Sequence, residues 1–196
     1  MKKLLLILLC LPLIGFTQKN ITSNISMKDL YHFLEDIPVG QEQMFGFNNR
    51  QEIYKSELGT PYEIFTLSDS FFLDEKIDVS KKYVKSTGVW RIPIIIDDKY
   101  RSLVTVVMEN NSWKIVSIGA RGLAEELAEF ERNQTSLKHF NILRVFQIKG
   151  DFILTSSNIV YPLTSANNSL LFEDTGSNEL NDVLIIIKNT LINYEK

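Results

Sequence analysis

Few residues of this sequence have side chains that could carry acid–base or nucleophilic chemistry. The chain has two histidines, His32 and His139, and a single cysteine, Cys10. His32 stands four residues before Asp36, a spacing that puts both side chains on one face of a helix and would suit a Ser-His-Asp hydrolase if the fold supplied a serine. The sequence contains none of the common metalloprotease, serine-hydrolase or phosphate-loop motifs. We therefore predict no catalytic residue, no cofactor-binding residue and no metal ligand.

Two groups of carboxylates also need an interpretation. Asp97 and Asp98 are adjacent and interrupt the most apolar stretch of the mature chain, residues 89 to 120. Because neighbouring side chains of a strand point to opposite sides, these two are predicted to form a turn and not an acid–base pair. Glu125 and Glu129 lie four apart on a predicted helix and could share a metal ion, but no histidine accompanies them. A solvated acidic helix face, to which Glu126 and Glu131 also belong, is expected there.

The balance of charge limits the class of partner. The sequence carries 21 Lys and Arg against 24 Asp and Glu, and removal of Lys2 and Lys3 with a signal peptide would make it more acidic. An acidic chain without a basic stripe has little attraction for a phosphate backbone, so nucleic acid is not expected as a partner. The small basic cluster of Lys81, Lys82 and Lys85 is predicted to be a solvated loop.

Residues 1 to 17 have the pattern of a secretory signal peptide. A basic Met-Lys-Lys precedes an apolar run that ends at Phe16, and cleavage is predicted between Thr17 and Gln18. The run is shorter than the roughly 20 residues of a membrane-spanning helix. Cys10 lies inside it without the small residue that lipidation requires before the cysteine, so a lipoprotein is not expected. We predict export across the inner membrane of a bacterial cell, to the periplasm or the medium, with no membrane span in the mature chain.

The apolar stretch is predicted to be a three-stranded antiparallel meander over residues 89 to 120. Asp98-Lys99 and Asn110-Asn111 are predicted as two-residue turns, because Asp and Asn tolerate the positive φ that such turns require. In this register Trp90 lies opposite Val107. Both faces of the meander are rich in apolar residues, so the sheet should be covered on both sides or use one face for binding.

The first strand of the meander is predicted to be an edge strand. Pro93 has no N–H to donate to a neighbouring strand, and proline is usually confined to edges. Trp90 lies on the same strand, and the predicted register places it on the opposite face of the sheet from Trp113. Trp90 and Pro93 therefore mark a candidate interaction edge, to which a peptide could add as a further strand.

Helices and a second hairpin complete the predicted fold. A hairpin with Gly150-Asp151 at its turn is predicted after the acidic helix. The C-terminal segment has helical periodicity, although its apolar run from Val183 to Ile187 could also form a buried strand. The predicted helices, identified from apolar spacing, caps and breakers, cover residues 27 to 37, 50 to 58, 121 to 133 and 178 to 194. Ser26 is predicted as the N-cap of the first of them.

These elements predict an α+β fold, an antiparallel β-meander and hairpin sheet packed by three or four helices. Residues 18 to 196 are expected to form one domain, with a sub-division conceivable near residues 132 to 138. The function that fits best is an exported, non-catalytic binding or interaction module. Its partner would be an envelope protein, a peptide or a small apolar ligand, and no cofactor is predicted. The alternative is a small secreted hydrolase that uses carboxylates or a Ser-His pair.

Overall fold

The computed structural model describes residues 21–22, 24–77, 80–137, 139–170 and 176–194. The predicted signal peptide and its cleavage residues Thr17 and Gln18 lie outside these residues, so they stay a prediction. In the described part of the chain nine strands form one sheet and six α-helices pack against it.

The strands are β1 Glu57–Leu58, β2 Tyr62–Leu67, β3 Val84–Ile96, β4 Lys99–Glu109, β5 Ser112–Gly119, β6 Phe140–Val145, β7 Gly150–Thr155, β8 Ile159–Pro162 and β9 Asn178–Glu179. They follow the order β5-β4-β3-β2-β6-β7-β8-β9 in the sheet, with β1 paired to β3 beside the start of β2. All paired strands are antiparallel except β2 and β6, which are parallel.

The predicted α+β class is confirmed, and the described helices outnumber the three or four that were predicted. The two additional helices are short, since α3 has five residues and α5 has seven. The predicted helix 50–58 is shorter than expected: α2 has four residues, because Glu57 and Leu58 pair with β3 instead. The helices are α1 Met27–Glu35, α2 Arg50–Ile53, α3 Asp69–Leu73, α4 Arg121–Asn133, α5 Thr164–Leu170 and α6 Leu180–Tyr194.

Asp97 and Asp98 form the turn between β3 and β4, as predicted. Both have left-handed backbone conformations, with φ of 49° and 58°. The turn begins one residue earlier than predicted, however, because Ile96 pairs with Lys99. A β-bulge follows at once, since Ile95 pairs with Tyr100 while Ile94 pairs with Ser102.

The predicted register of the meander is wrong as a result. Trp90 lies opposite Val106 and not Val107. Trp90 and Trp113 share one face of the sheet, where their rings meet edge to face at 6.4 Å. A shift of one residue moves a strand's side chains to the other face. Because successive residues of this strand are apolar, the sequence does not indicate which of them belong to which face.

The prediction of an edge strand at Trp90 and Pro93 is also wrong. β3 lies inside the sheet, between β4 on one side and β1 and β2 on the other. The Pro93 carbonyl accepts a hydrogen bond from the Gly59 N–H at 2.8 Å. The N–H and C=O of one strand residue point to the same side. On that side Pro93 faces the short link between β1 and β2, where the pairing of strands is interrupted and no N–H donor is needed.

The second predicted hairpin is present, with its turn before Gly150. Phe146–Ile148 form a 3-10 turn, Lys149 has a φ of 52°, and β7 begins at Gly150. Gly150 instead allows close packing, because a Cβ there would make a tight contact of 3.1 Å with Ala166 Cα in α5.

One face of the sheet, which we name the crowded face, is covered by five helices. On β3 and β4 an apolar cluster that includes Trp90 and Ile92 packs against α1 and α2. On β6, β7 and β8 a second cluster around Phe152 packs against α3, α5 and α6. The pairing of Glu63 with Trp90 and of Phe65 with Leu143 places both clusters on the same face.

The opposite face, which we name the α4 face, carries α4. This helix follows the edge strand β5 and leads to β6 in the middle of the sheet, so it crosses over the intervening strands. Ala124 and Leu127 of α4 are fully buried against a third cluster that includes Tyr62 and Ile142. The predicted sub-division near residues 132 to 138 falls in the link between α4 and β6.

Candidate functional site

Helix α4 starts where the backbone turns sharply after β5. Gly119 has a φ of 149°, and Ala120 adopts a left-handed conformation with a φ of 58°. The helix that follows is amphipathic, with its buried stripe on the sheet and acidic residues along both flanks. Because one helix is narrower than the sheet beneath it, open clefts remain on both flanks of α4.

A carboxylate near the end of α4 joins the helix to two strands. The Tyr62 hydroxyl of β2 donates to Glu131 Oε1 at 2.5 Å, and the Tyr100 hydroxyl of β4 donates to Glu131 Oε2 at 2.5 Å. We name this group the Tyr-Glu-Tyr cluster. Hydrogen bonds to an ionised carboxylate are among the stronger ones in proteins, so the cluster fixes the position of Glu131 relative to the sheet.

The surroundings of the cluster keep both tyrosines protonated. Burial, followed by the hydrogen bond to Glu131, raises the pKa of Tyr62 far above its usual range. Burial and the hydrogen bond to Glu131 also raise the pKa of Tyr100, to about 12, although the nearby Tyr62 hydroxyl acts in the other direction. Each hydroxyl is therefore a donor at neutral pH, and Glu131 is the acceptor.

The Tyr-Glu-Tyr cluster borders a cleft of about 490 Å³ between α4 and the β3–β4 turn. This volume is in the range of sites for small molecules. We name it the turn cleft. Its lining is dominated by polar and charged side chains from the turn, from β4 and from one flank of α4: Asp98, Lys99, Tyr100, Arg101, Glu125, Ala128, Glu131 and Arg132.

Neighbouring residues hold several of the charges of the turn cleft in place. Arg121 Nε lies 2.8 Å from Glu125 Oε1, and Arg101 Nη2 lies 3.5 Å from Glu52 Oε1. Lys99, in contrast, has no ion-pair partner among the described residues. The Arg101 Nε is buried, and it too has no hydrogen-bond partner among the described residues. The turn cleft therefore contains fixed carboxylates and one lysine, Lys99, whose ammonium group is available to a ligand.

The salt bridge at the edge of this site also shifts the acidity of Glu52. Burial works to raise the pKa of Glu52, but hydrogen bonds from the backbone and side chain of Asn48 lower it, as do the charges of Arg101 and Lys55. The net result is a lowered pKa, so Glu52 stays ionised and keeps the Arg101 side chain anchored.

The histidines that the sequence singled out lie away from this cleft. His32 is exposed on α1, and Asp36 stands at the C-terminal cap of the same helix. His139 is exposed immediately before β6. Neither histidine lines the turn cleft, and the structure does not bring them together with a serine in any contact among the described residues.

The remaining charged residues from the sequence have mixed surroundings. Glu125 lines the turn cleft, whereas Glu129 lines the cleft on the other flank of α4. Lys82 pairs with Asp74 at 3.1 Å, and Lys85 lies 3.6 Å from an Asp69 carboxylate oxygen. In the described part of the chain no three His, Cys, Asp or Glu side chains are close enough together to hold a metal ion.

Sequence reasoning missed the Tyr-Glu-Tyr cluster and the role of Glu131. Glu131 was expected to belong to a solvated acidic face. One signal was available: Glu131 follows Ala124 and Leu127 by seven and four residues, which places it on the buried stripe of the helix. Nothing in the sequence, however, indicates that Tyr62 and Tyr100 approach this position.

No family model, no curated protein and no solved structure matches the chain. None of the described helices has both the length and the apolar character needed to cross a membrane.

Proposed function

We propose that this protein is an exported binding module and that the turn cleft is its ligand site. The observation that carries the proposal is the pairing of a cleft of ligand size with fixed polar groups, since Glu131 is held by two tyrosine hydroxyls on its border. Binding sites combine such a concave surface with a few accurately placed polar groups. Export rests on the signal-peptide pattern of residues 1 to 17.

The lining of the turn cleft favours a small polar or charged molecule. Ala128 is the one aliphatic side chain among its lining residues, and six of the eight are ionisable at ordinary pH as Asp, Glu, Lys or Arg. A small apolar ligand, as the sequence suggested, would displace water from these charged groups without replacing the hydrogen bonds of that water. We therefore propose a polar ligand for this site.

A hydrolase is the second candidate function, because three carboxylates line the same cleft. Glycosidase chemistry requires two carboxyl groups on either side of the bond that is cleaved. Two features favour binding over this alternative: Glu125 is paired with Arg121 and more than half exposed, and both oxygens of Glu131 already accept hydrogen bonds. A general acid in such an enzyme is normally held in an apolar environment that raises its pKa.

Mass spectrometry of the protein recovered after export tests both parts of the proposal. Under denaturing conditions we expect a chain that begins at Gln18. Under native conditions we expect an additional small-molecule mass, which is lost in an Ala128→Trp variant because the indole fills the cleft. A matched Gln51→Trp variant, which places the same ring at an exposed position of α2, should retain the extra mass.

Three results would contradict the proposal. A mature chain that retains the apolar run of residues 4 to 16 would contradict export. An extra mass that survives in Ala128→Trp would place the ligand outside the turn cleft. Turnover of a glycoside or ester by the wild type that disappears in Glu131→Gln would replace binding by the hydrolase alternative.

A further inference from the structure

A second cleft lies on the other flank of α4, between this helix, β8 and the start of α5. Its volume is about 500 Å³. We name it the acidic cleft, because Glu126 and Glu129 are its charged lining residues and no Lys, Arg or His is among the described residues that line it. The turn cleft, in contrast, has lining residues of both signs. One helix therefore separates two clefts of different electrostatic character.

The two carboxylates of the acidic cleft have different roles. Glu126 Oε2 accepts a hydrogen bond from the backbone N–H of Thr164 at 2.8 Å, so Glu126 holds the start of α5 beside α4. Glu129 is exposed, and it has no ion-pair or hydrogen-bond partner among the described residues. Glu129 is consequently a carboxylate at the cleft that no neighbouring described residue neutralises.

Two aromatic rings stand beside these carboxylates. Phe130 and Tyr161 both line the acidic cleft, and their rings meet at 4.9 Å with an angle of 65° between the planes. Both side chains are partly exposed. Phe130 is held from behind by Phe140, whose ring lies 5.2 Å away. The rings are thus fixed by packing, while part of their surface faces the cleft.

The combination of aromatic rings and uncompensated carboxylates is suited to a cation. The face of an aromatic ring attracts a positive charge within about 6 Å, and the carboxylates add a Coulomb attraction that also repels anions. Two acidic side chains and two rings do not form the compact set of oxygen ligands that a metal ion requires. An organic cation, which presents both a charge and an apolar surface, matches both features.

We propose that the acidic cleft binds a small organic ammonium ion. Its charge lies near Glu129 and Glu126, and its carbon atoms contact the rings of Phe130 and Tyr161. The remaining described lining residues are uncharged and include the amides of Asn133 and Asn167, so hydrogen-bonding groups on the ligand also find partners there. This site is independent of the turn cleft, and a failure of the function proposed above leaves it unaffected.

Choline and its uncharged isostere 3,3-dimethylbutan-1-ol are the probes for this proposal. Titration of the purified protein with each, followed by NMR, should show saturable shifts of the Phe130 and Tyr161 ring signals with choline alone. Glu129→Gln should weaken choline binding roughly five- to tenfold, because it removes the unpaired charge. Tyr161→Leu should weaken it as well, since it removes one ring.

The matched control lies on another element. Glu57→Gln makes the same chemical change at an exposed position of β1 that lines neither cleft, and it should leave choline binding within twofold of the wild type. Binding of choline should also weaken in higher salt, because screening reduces the attraction of an exposed carboxylate. The proposal is overturned if the isostere binds as well as choline, if Glu57→Gln weakens binding as much as Glu129→Gln, or if choline leaves both rings unperturbed.

Discussion

The two faces of the sheet are covered by different amounts of helix and by different chemistry. On the crowded face, helices on both halves of the sheet exclude water from continuous apolar clusters. On the α4 face one helix crosses the strands, and polar groups reach the sheet itself. Asp151 is an example: its side chain is 6% exposed and lies 2.5 Å from Arg144 Nη1 on β6.

The comparison indicates that the crowded face contributes mainly to stability, whereas the α4 face contains the candidate binding sites. Burial of apolar side chains is the largest favourable contribution to folding, and the crowded face supplies most of it. The α4 face also has buried apolar residues, but its open flanks contain both candidate sites and the Tyr-Glu-Tyr cluster. We therefore expect substitutions on the crowded face to alter stability most, and substitutions along α4 to alter binding most.

Adjacent residues of β3 give the largest contrast between the faces. Ile92 is fully buried on the crowded face, and Ile92→Ala should lower the free energy of unfolding by about 2 to 5 kcal/mol through lost burial and the cavity left behind. Arg91 points to the α4 face, and Arg91→Met should change this free energy by less than about 1 kcal/mol. Urea denaturation of both variants measures the contrast.

The small effect expected for Arg91→Met has a structural reason. Burial lowers the pKa of Arg91. The charge of Asp151 acts to raise this pKa, and the charge of Arg144 acts to lower it. The Arg91 Nη1 is buried without a hydrogen-bond partner among the described residues. Methionine keeps most of the packing of the side-chain stem. If Arg91→Met were as destabilising as Ile92→Ala, the two faces would not differ as we infer.

Removal of one hydroxyl from the Tyr-Glu-Tyr cluster should have an intermediate effect. Tyr62 is 2% exposed and donates to Glu131, so Tyr62→Phe should lower the free energy of unfolding by about 1.5 to 3 kcal/mol. Tyr31→Phe is the matched control, because the Tyr31 hydroxyl donates to a backbone carbonyl in an exposed position. Equal effects of the two substitutions in urea denaturation would show that the cluster does not anchor α4.

The smallest expected effect depends on alkaline pH. The pKa of Tyr100 is raised to about 12 in the folded protein, whereas it is near 10 in an unfolded chain. Because the folded state favours the protonated hydroxyl, the contribution of Tyr100 to stability is complete below about pH 10 and is lost as the pH rises to about 12. The free energy of unfolding, measured between pH 8 and pH 11, should therefore fall less steeply in Tyr100→Phe than in the wild type. An unchanged slope would contradict the raised pKa.

Local features of the sequence predicted much of the fold. Asp97 and Asp98 identified the turn, because their short polar side chains tolerate positive φ. The C-terminal helix and α4 followed from apolar spacing over more than ten residues, a periodicity that few strands imitate. Ser26 identified the start of α1, and its Oγ accepts a hydrogen bond from the Asp29 N–H.

Other features depended on contacts between distant parts of the chain. The prediction that Pro93 lies on an edge strand was wrong, because β1 and β2, more than twenty residues earlier in the chain, pair with that side of β3. The predicted register of the meander was wrong because a bulge inserts one extra residue, Arg101, into β4. The backbone of Gly46 lies close to this bulge, since a Cβ on Gly46 would be 2.0 Å from the Arg101 carbonyl oxygen.

By itself, the sequence determined the local turns, the helices with long periodicity and the α+β class, because each depends on neighbours within a few residues. The candidate sites were decided by the tertiary structure. Glu131 meets Tyr100 across 31 positions of the chain and Tyr62 across 69. Glu125 and Glu129, four residues apart on one helix, line different clefts because α4 lies across the sheet. The position of α4 on the sheet decides which charged side chains line the same cleft, and the spacing of residues in the sequence does not predict that position.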